Sequence, residues 1–342
     1  MIIPLIILLL VCFNGIRFGK SHAFEGYISK DRTNAIKGIF ILLVFLSHIK
    51  VYIINAGYEF KEIGDSVFFS IIRHIGQLMV VMFLFYSGYG VMESIRRKGL
   101  DYMKAMPKHR ILNTLLNFDV AVCVFLIVDL LIGKEISVCQ LLLSLVTWDD
   151  IGNSNWYIFA ILLCYLVTYI AARITKDEKI ILRVAFFTLT IVAIGLHFVK
   201  ESWWYNTLWA YPTGIYYSCY KEKIETFVTS KYLWSVSILF VAFCLVYVMP
   251  YEAAGFRTNI LSVLFALLVV MLTMRVKIYN SYLRWCGEKL FPLYIYQRVP
   301  MIFFYEVIPS KIICEYPLVY IAICFMITII IAFAYRFIKL SL

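Results

Sequence analysis

"NAIKGIFILLVFLSHIKVYI", residues 34–53, is an almost unbroken apolar run with Lys37 near its start and His48 inside it. About 20 such residues make a helix long enough to cross the hydrocarbon core of a bilayer. Titratable groups are costly there and usually face a protein interior or a water-filled cavity, so the stretch predicts a membrane helix with one chemically occupied face. Lys37 and His48 are eleven residues apart, close to three whole turns, which places them on one face about 16 Å apart along the axis. The plain alternative is a lysine snorkelling to the headgroups and a lone histidine hydrogen-bonded in a bundle core.

Composition extends the reading to the whole chain. Of its 342 residues 63% are hydrophobic and 15% charged, with a mean hydropathy of +0.85, which excludes an ordinary soluble domain. The net charge of +11 does not point to nucleic acid, because the Lys and Arg residues fall mainly in short gaps between apolar runs, where they set topology. The nine cysteines are mostly single and lie in apolar segments, where they act as small hydrophobes. With no CxxC or Cys/His cluster, no metal site is expected.

A walk at the length of a spanning helix gives about eleven transmembrane candidates: 2–16, 36–55, 75–93, 111–132, 156–173, 180–198, 207–220, 233–249, 258–275, 290–306 and 316–338. The fold class expected is all-α, a polytopic membrane helix bundle. The first segment, "MIIPLIILLLVCFNGI", has neither the basic start nor the small-residue cleavage site of a signal peptide and reads as a retained anchor helix. Residues 1–29 then form an extra helix and linker, and 30–342 one membrane domain. The gap 133–155 contains "VCQLLLSLVTW", which suits a re-entrant or interfacial helix.

Basic residues orient the bundle. The densest cluster, "RRKGLDYMKAMPKHR" (96–110), alternates with acidic or neutral gaps, as do 173–179, 221–223, 275–277 and the C-terminal Arg336 and Lys339. Those gaps and 17–37 are expected in the cytoplasm, and 56–66 and 133–155 outside. The expected location is the plasma membrane, multi-pass, with the N-terminus outside and the C-terminus cytoplasmic.

Four stretches in order carry a family resemblance. "IKGIFILLVFLSH" (36–48) resembles the first core helix of the acyltransferase-3 family of integral membrane acyltransferases, in which a basic residue, ten intervening positions and a histidine form the signature. "MFLFYSGYGV" (82–91) is similar to its "FFxxSGF" helix end, "NWYIFAILLCYL" (155–166) to its "WFL" helix start, and "GEKLFPLYIYQRVPM" (287–301) to its "SYxLYLxHxP" element. The resemblance covers about residues 30–338, a ten-helix core to which the first helix is an addition. Three positions depart from the family: Lys37 stands where arginine is usual, Gln297 where many members have histidine, and Asn113 where many bacterial members repeat the arginine of Arg110.

The resemblance implies transfer of an acyl group, usually acetyl, from cytoplasmic acyl-CoA to a hydroxyl of a cell-surface or lipid-linked glycan, of the surface polysaccharide O-acetyltransferase type. The acyl-CoA is a donor substrate, with no permanently bound cofactor. An alcohol needs a base as it attacks a thioester, and histidine, with an unperturbed pKa of about 6.5, suits the task. His48 is the expected catalytic base and Lys37 the cation at the cytoplasmic mouth. Arg110, with Lys108, Arg97, Arg96, Lys98 and Arg32, is expected to hold the phosphates of CoA, although a positive-inside signal alone accounts equally well for the 96–110 cluster. On the acceptor side stand Asn155, Trp156, Tyr294 and Gln297. Asn155 and Trp156 belong with Asp149, Asp150, Asn153 and Tyr157 to a polar and aromatic group of the sort that binds sugars, and an interfacial aromatic belt explains the rings as well. Asp119 and Asp129 are either partners for a basic group or buried structural carboxylates. The competing functions are a transporter or flippase of lipid-linked sugars and a catalytically inactive family member. Against the first, no internal repeat or matched pair of broken helices is visible.

Overall fold

The computed structural model describes residues 1–19, 25–250 and 254–341. It is an all-α bundle organised around α2 (Lys30–Asn55), 26 residues and about 39 Å long, which contains the whole of the opening stretch. A short α1 (Ile3–Phe13) and strand β1 (Ile16–Phe18) precede it. After it come α3 (Ile63–Ile75), α4 (Leu78–Lys98), α5 (Leu100–Met106), a π-helical turn over Pro107–Leu112, and α6 (Asn113–Leu131). The short α7 (Val138–Leu145) falls within the gap where a re-entrant or interfacial helix is expected. The chain continues as α8 (Trp156–Ile174), α9 (Glu178–His197), α10 (Ala210–Ser230), α11 (Tyr232–Val248), α12 (Ala254–Arg275), strand β2 (Val276–Ile278), α13 (Ser281–Glu288), α14 (Leu290–Tyr296), α15 (Arg298–Val307), α16 (Ser310–Glu315) and α17 (Pro317–Ile338).

Each of the eleven apolar segments forms helix, but they are not eleven equal spans. Among the described residues seven helices, some built from adjoining elements, are long and apolar enough to cross a membrane: Lys30–Asn55, Ile63–Lys98, Leu100–Leu131, Trp156–Ile174, Glu178–His197, Phe256–Arg275 and Pro317–Ile338. An eighth is reached if α10 and α11, bent by 104°, count as one broken span. Helix α1 has 11 residues, about 16 Å against a hydrocarbon core of about 30 Å. The 290–306 segment is divided between α14 and α15. Helix α11 has no buried residue at all, the pattern of a helix whose solvent is lipid.

Two close backbone crossings hold the centre together. A Cβ on Gly38 would lie 1.9 Å from the Leu283 carbonyl oxygen, and one on Gly287 would lie 1.9 Å from that of Asn34, so α2 and α13 touch backbone to backbone. In the same way a Cβ on Gly88 of α4 would lie 2.1 Å from the Tyr211 oxygen, and one on Gly214 of α10 would lie 2.0 Å from that of Phe85. Small residues at such points let membrane helices pack by van der Waals contact, which must do most of the work where lipid removes the hydrophobic drive. Gly88 is the first glycine of "YSGYG", so that position of the motif has a packing reason.

Helices α3, α5, α13 and α16 and one strand pair are absent from the sequence reading. Strands β1 and β2 pair antiparallel, with Arg17 opposite Lys277, which ties the linker after α1 to the end of α12. At the other end of α1 the Met1 nitrogen lies 2.7 Å from the buried Asp65 carboxylate, to which Tyr58 also donates.

Candidate active site

Helix α2 carries Lys37 and His48 into two different cavities. His48 lines the larger, of about 980 Å³, beyond the middle of the helix. Its walls come from the α3–α4 junction (Arg73, His74, Gln77), the loop before α8 (Asp149, Asp150, Asn153 to Trp156), the α9–α10 connection (Lys200 to Trp204, Asn206), α11 and α12 (Tyr247, Arg257, Thr258) and the 294–298 stretch (Tyr294, Arg298). Lys37 lines a second cavity of about 520 Å³ toward the N-terminal end of α2, shared with Lys30, Asn34, Arg97, Arg110, Glu93, Tyr86, Tyr89 and Phe83. Both volumes lie in the range of small-molecule sites.

The Lys37 cavity is strongly basic. Its one carboxylate among the described residues, Glu93, accepts from Arg96 at 2.7 Å and from the Ser218 hydroxyl at 2.6 Å. Arg96 is itself occupied, since its Nε and Nη2 bind both oxygens of Glu178 at 2.8 and 2.6 Å. Lys30, Lys37, Arg97 and Arg110 remain around the space. Arg110 sits on the π-turn between α5 and α6 with its guanidinium over the Tyr165 ring at 5.9 Å. Single π-turns recur at functional sites because they rotate side chains out of helical register. Of the other expected CoA contacts, Arg97 reaches this cavity, whereas Arg32 lines a separate one of about 280 Å³ with Lys277 and Arg284, and Lys108 is exposed and lines neither.

At the His48 end the imidazole Nδ1 is buried and makes no hydrogen bond with any described residue. The ring sits 6.4 Å from that of Tyr294. Tyr294 lies 5.0 Å from Tyr157, which lies 6.0 Å from Phe83. Phe83 lines the Lys37 cavity and Tyr294 the His48 cavity, so three rings stand as a septum between the two. The Tyr294 hydroxyl is buried without a hydrogen bond of normal geometry.

Asn155 and Gln297 have structural ties. Asn155 Nδ2 donates to the carbonyls of Thr147 at 3.2 Å and Asp149 at 2.7 Å. Thr147 holds φ at +63°, a costly conformation for a β-branched residue, and the Asn155 bond secures it. Gln297 is fully buried, donates to the Tyr294 carbonyl at 3.0 Å, and stands behind the cavity wall rather than in it. Trp156 and Tyr294 line the cavity directly. Asp129 is fully buried 3.6 Å from Lys134, and one Asp119 oxygen is buried without a partner; neither carboxylate lines the two cavities.

Two residues beside His48 escape a reading of the sequence. Arg298 lines the same cavity and donates from Nε to the Tyr52 hydroxyl at 3.1 Å. Tyr52 is four residues beyond His48, on the same face of α2, and that spacing was the available signal. Its partner lies 246 residues away, which no local pattern reports.

The geometry is that of a membrane bundle with a basic cavity and a histidine cavity joined by one helix. No curated protein and no solved structure matches the chain. The family model described as an acyltransferase domain, that of acyltransferase-3, matches residues 31–336, from the first turn of α2 to the end of α17. The chain therefore belongs to the acyltransferase-3 family of membrane acyltransferases.

Proposed function

We propose that this membrane acyltransferase takes an acetyl group from cytoplasmic acetyl-CoA, bound from the Lys37 cavity, and transfers it to a hydroxyl of a cell-surface or lipid-linked glycan bound in the His48 cavity. The observation that carries this reading is that α2 sends a cation into one cavity and a histidine into another, about 16 Å apart along its axis. The Lys37 end faces the cytoplasm, in keeping with the basic 96–110 loop at that end.

The four cations of this cavity, Lys37 among them, suit the phosphates of CoA, and Arg110 adds a planar fork where Lys37 supplies a point charge. The pantetheine arm runs from there toward His48 past Phe83, Tyr157 and Tyr294. The acceptor hydroxyl oxygen attacks the thioester carbonyl carbon while the His48 imidazole takes its proton. Collapse of the tetrahedral intermediate breaks the C–S bond, and the imidazolium returns the proton to the departing thiolate. The products are a glycan ester and free CoA.

The protein in lipid nanodiscs, given acetyl-CoA labelled in the acetyl group and oligosaccharide acceptors, tests the reading. Label in a base-labile ester, one per CoA released, is the expected result. A flippase of lipid-linked sugars would consume no acetyl-CoA, and that outcome would overturn the assignment.

A further inference from the structure

The His48 cavity contains more positive charge than membrane topology explains. In the orientation proposed above it is at the external end, where Lys and Arg are not required to set topology. Arg73, Lys200, Arg257 and Arg298 nevertheless line it. Two of these have evident structural tasks. Lys200 donates to the Trp148 carbonyl at 2.6 Å and sits between the Trp148 and Trp204 rings at 4.3 and 4.4 Å. Arg257 donates to the carbonyls of Val246 and Tyr247, bridging α12 to the end of α11.

Arg73 and Arg298 are different. The exposed Arg73 side chain makes no hydrogen bond or ion pair with any described residue, and the Arg298 guanidinium uses Nε alone, on Tyr52. Three carboxylates share the lining: Asp149 accepts from the Asp150 N–H at 2.8 Å, Asp150 from the Gly152 N–H at 3.1 Å, and Glu201 is exposed. None of the three forms an ion pair with Arg73 or Arg298 among the described residues. Tyr52, packed against Tyr305 with ring centroids 5.6 Å apart, fixes the Arg298 guanidinium one helical turn from His48. A guanidinium held by one edge, with its Nη groups left over, is preorganised for a planar or tetrahedral oxyanion.

We infer that the acceptor is an anionic glycan, whose carboxylate or phosphodiester is held by Arg298 and Arg73 so that a neighbouring hydroxyl meets His48. The inference rests on the acyl-transfer reading and adds the class of acceptor. It also gives the external arginines a reason to be present.

Three oligosaccharides of equal length test it: one neutral, one containing a uronic acid, one containing a phosphodiester. Binding is measured by calorimetry on the protein in nanodiscs, and acetylation in a parallel reaction with acetyl-CoA. At least one charged acceptor is expected to bind ten times or more tighter than the neutral one, with a preference that falls as salt is raised. Whichever charged acceptor is favoured identifies the oxyanion. Arg73→Gln should reduce the charged-over-neutral preference by about tenfold, the loss of one charge-assisted contact, and Arg298→Lys should reduce it by keeping the charge and losing the fork. The salt dependence of the unaltered protein decides the matter even if a variant fails to fold. Equal binding of all three, or equal acetylation of the neutral one, overturns the inference while leaving acyl transfer standing. Selective binding of a charged glycan that is never acetylated does the reverse.

Discussion

On the proposed mechanism, replacing His48 by alanine removes the base without removing a hydrogen bond to any described residue, and this separation makes the substitution informative. The ring is half-buried against a cavity of about 980 Å³, and its Nδ1 has no hydrogen-bond partner among the described residues. Truncation therefore widens a space that already exists, and it strands no donor or acceptor that His48 was satisfying. The usual large-to-small penalty, which comes from a sealed void, does not apply in full. Rate is another matter. A positioned general base contributes about 10²–10⁴-fold, which at about 1.36 kcal/mol per decade is roughly 2.7–5.4 kcal/mol of transition-state stabilisation. His48→Ala is thus expected to lose at least about 99% of acetyl transfer with protein level and thermal unfolding little changed. His48→Gln, which keeps a hydrogen-bonding group without a base of suitable pKa, should be equally inactive. The assay follows CoA thiol release together with ester formation, beside an unfolding curve for each variant. More than about a tenth of the activity left in His48→Ala, or a stability loss large enough to explain the rate loss, would refute the catalytic role.

Lys37→Arg should retain substantial activity, whereas Lys37→Met, which keeps the apolar stem and removes the charge, should raise the apparent constant for acyl-CoA and leave acceptor binding unchanged; a purely snorkelling lysine predicts a neutral or mildly stabilising change instead. Gly88→Ala should lower the unfolding temperature in detergent, because its Cβ would lie 2.1 Å from the Tyr211 oxygen and overpacking costs about 1–3 kcal/mol, while Gly90→Ala, with nothing within 4 Å of its Cβ, should not. In a background without the native cysteines, Glu62→Cys should react with an impermeant thiol reagent from outside intact cells and Lys104→Cys only after permeabilisation, both positions being exposed; equal labelling from outside would overturn the assignment.

What was legible in the sequence was whatever has a local period. The apolar run at 34–53 announced α2, and the eleven-residue spacing announced that Lys37 and His48 share a face, because both follow from helical geometry alone. Hydropathy also located the other long apolar helices, but not α3, α5, α13 or α16, which lie in the gaps between the apolar runs. It did not reveal how many of them cross a membrane alone, since α1 is too short to do so and the 104° bend between α10 and α11 falls at Lys231, whose backbone leaves the helical region. The β1–β2 pair was invisible for a related reason: three residues are too few to show alternation, and their partners lie some 260 positions away.

The site shows the same division. Sequence placed Lys37 and His48 on one face but had no means of telling that different walls close over each, so that what looks like one polar stripe is two cavities with a wall of Phe83, Tyr157 and Tyr294 between them. That wall comes from α4, α8 and α14, and each ring occurs in a stretch that reads as ordinary apolar helix. The consequence bears on mechanism. If donor and acceptor enter from opposite ends, the reacting carbon has to pass or displace these rings, so the barrier to transfer includes their rearrangement as well as proton transfer to His48. On the proposed mechanism the Tyr294 hydroxyl, buried beside that imidazole, is the donor that a thioester carbonyl meets as it crosses the septum toward His48.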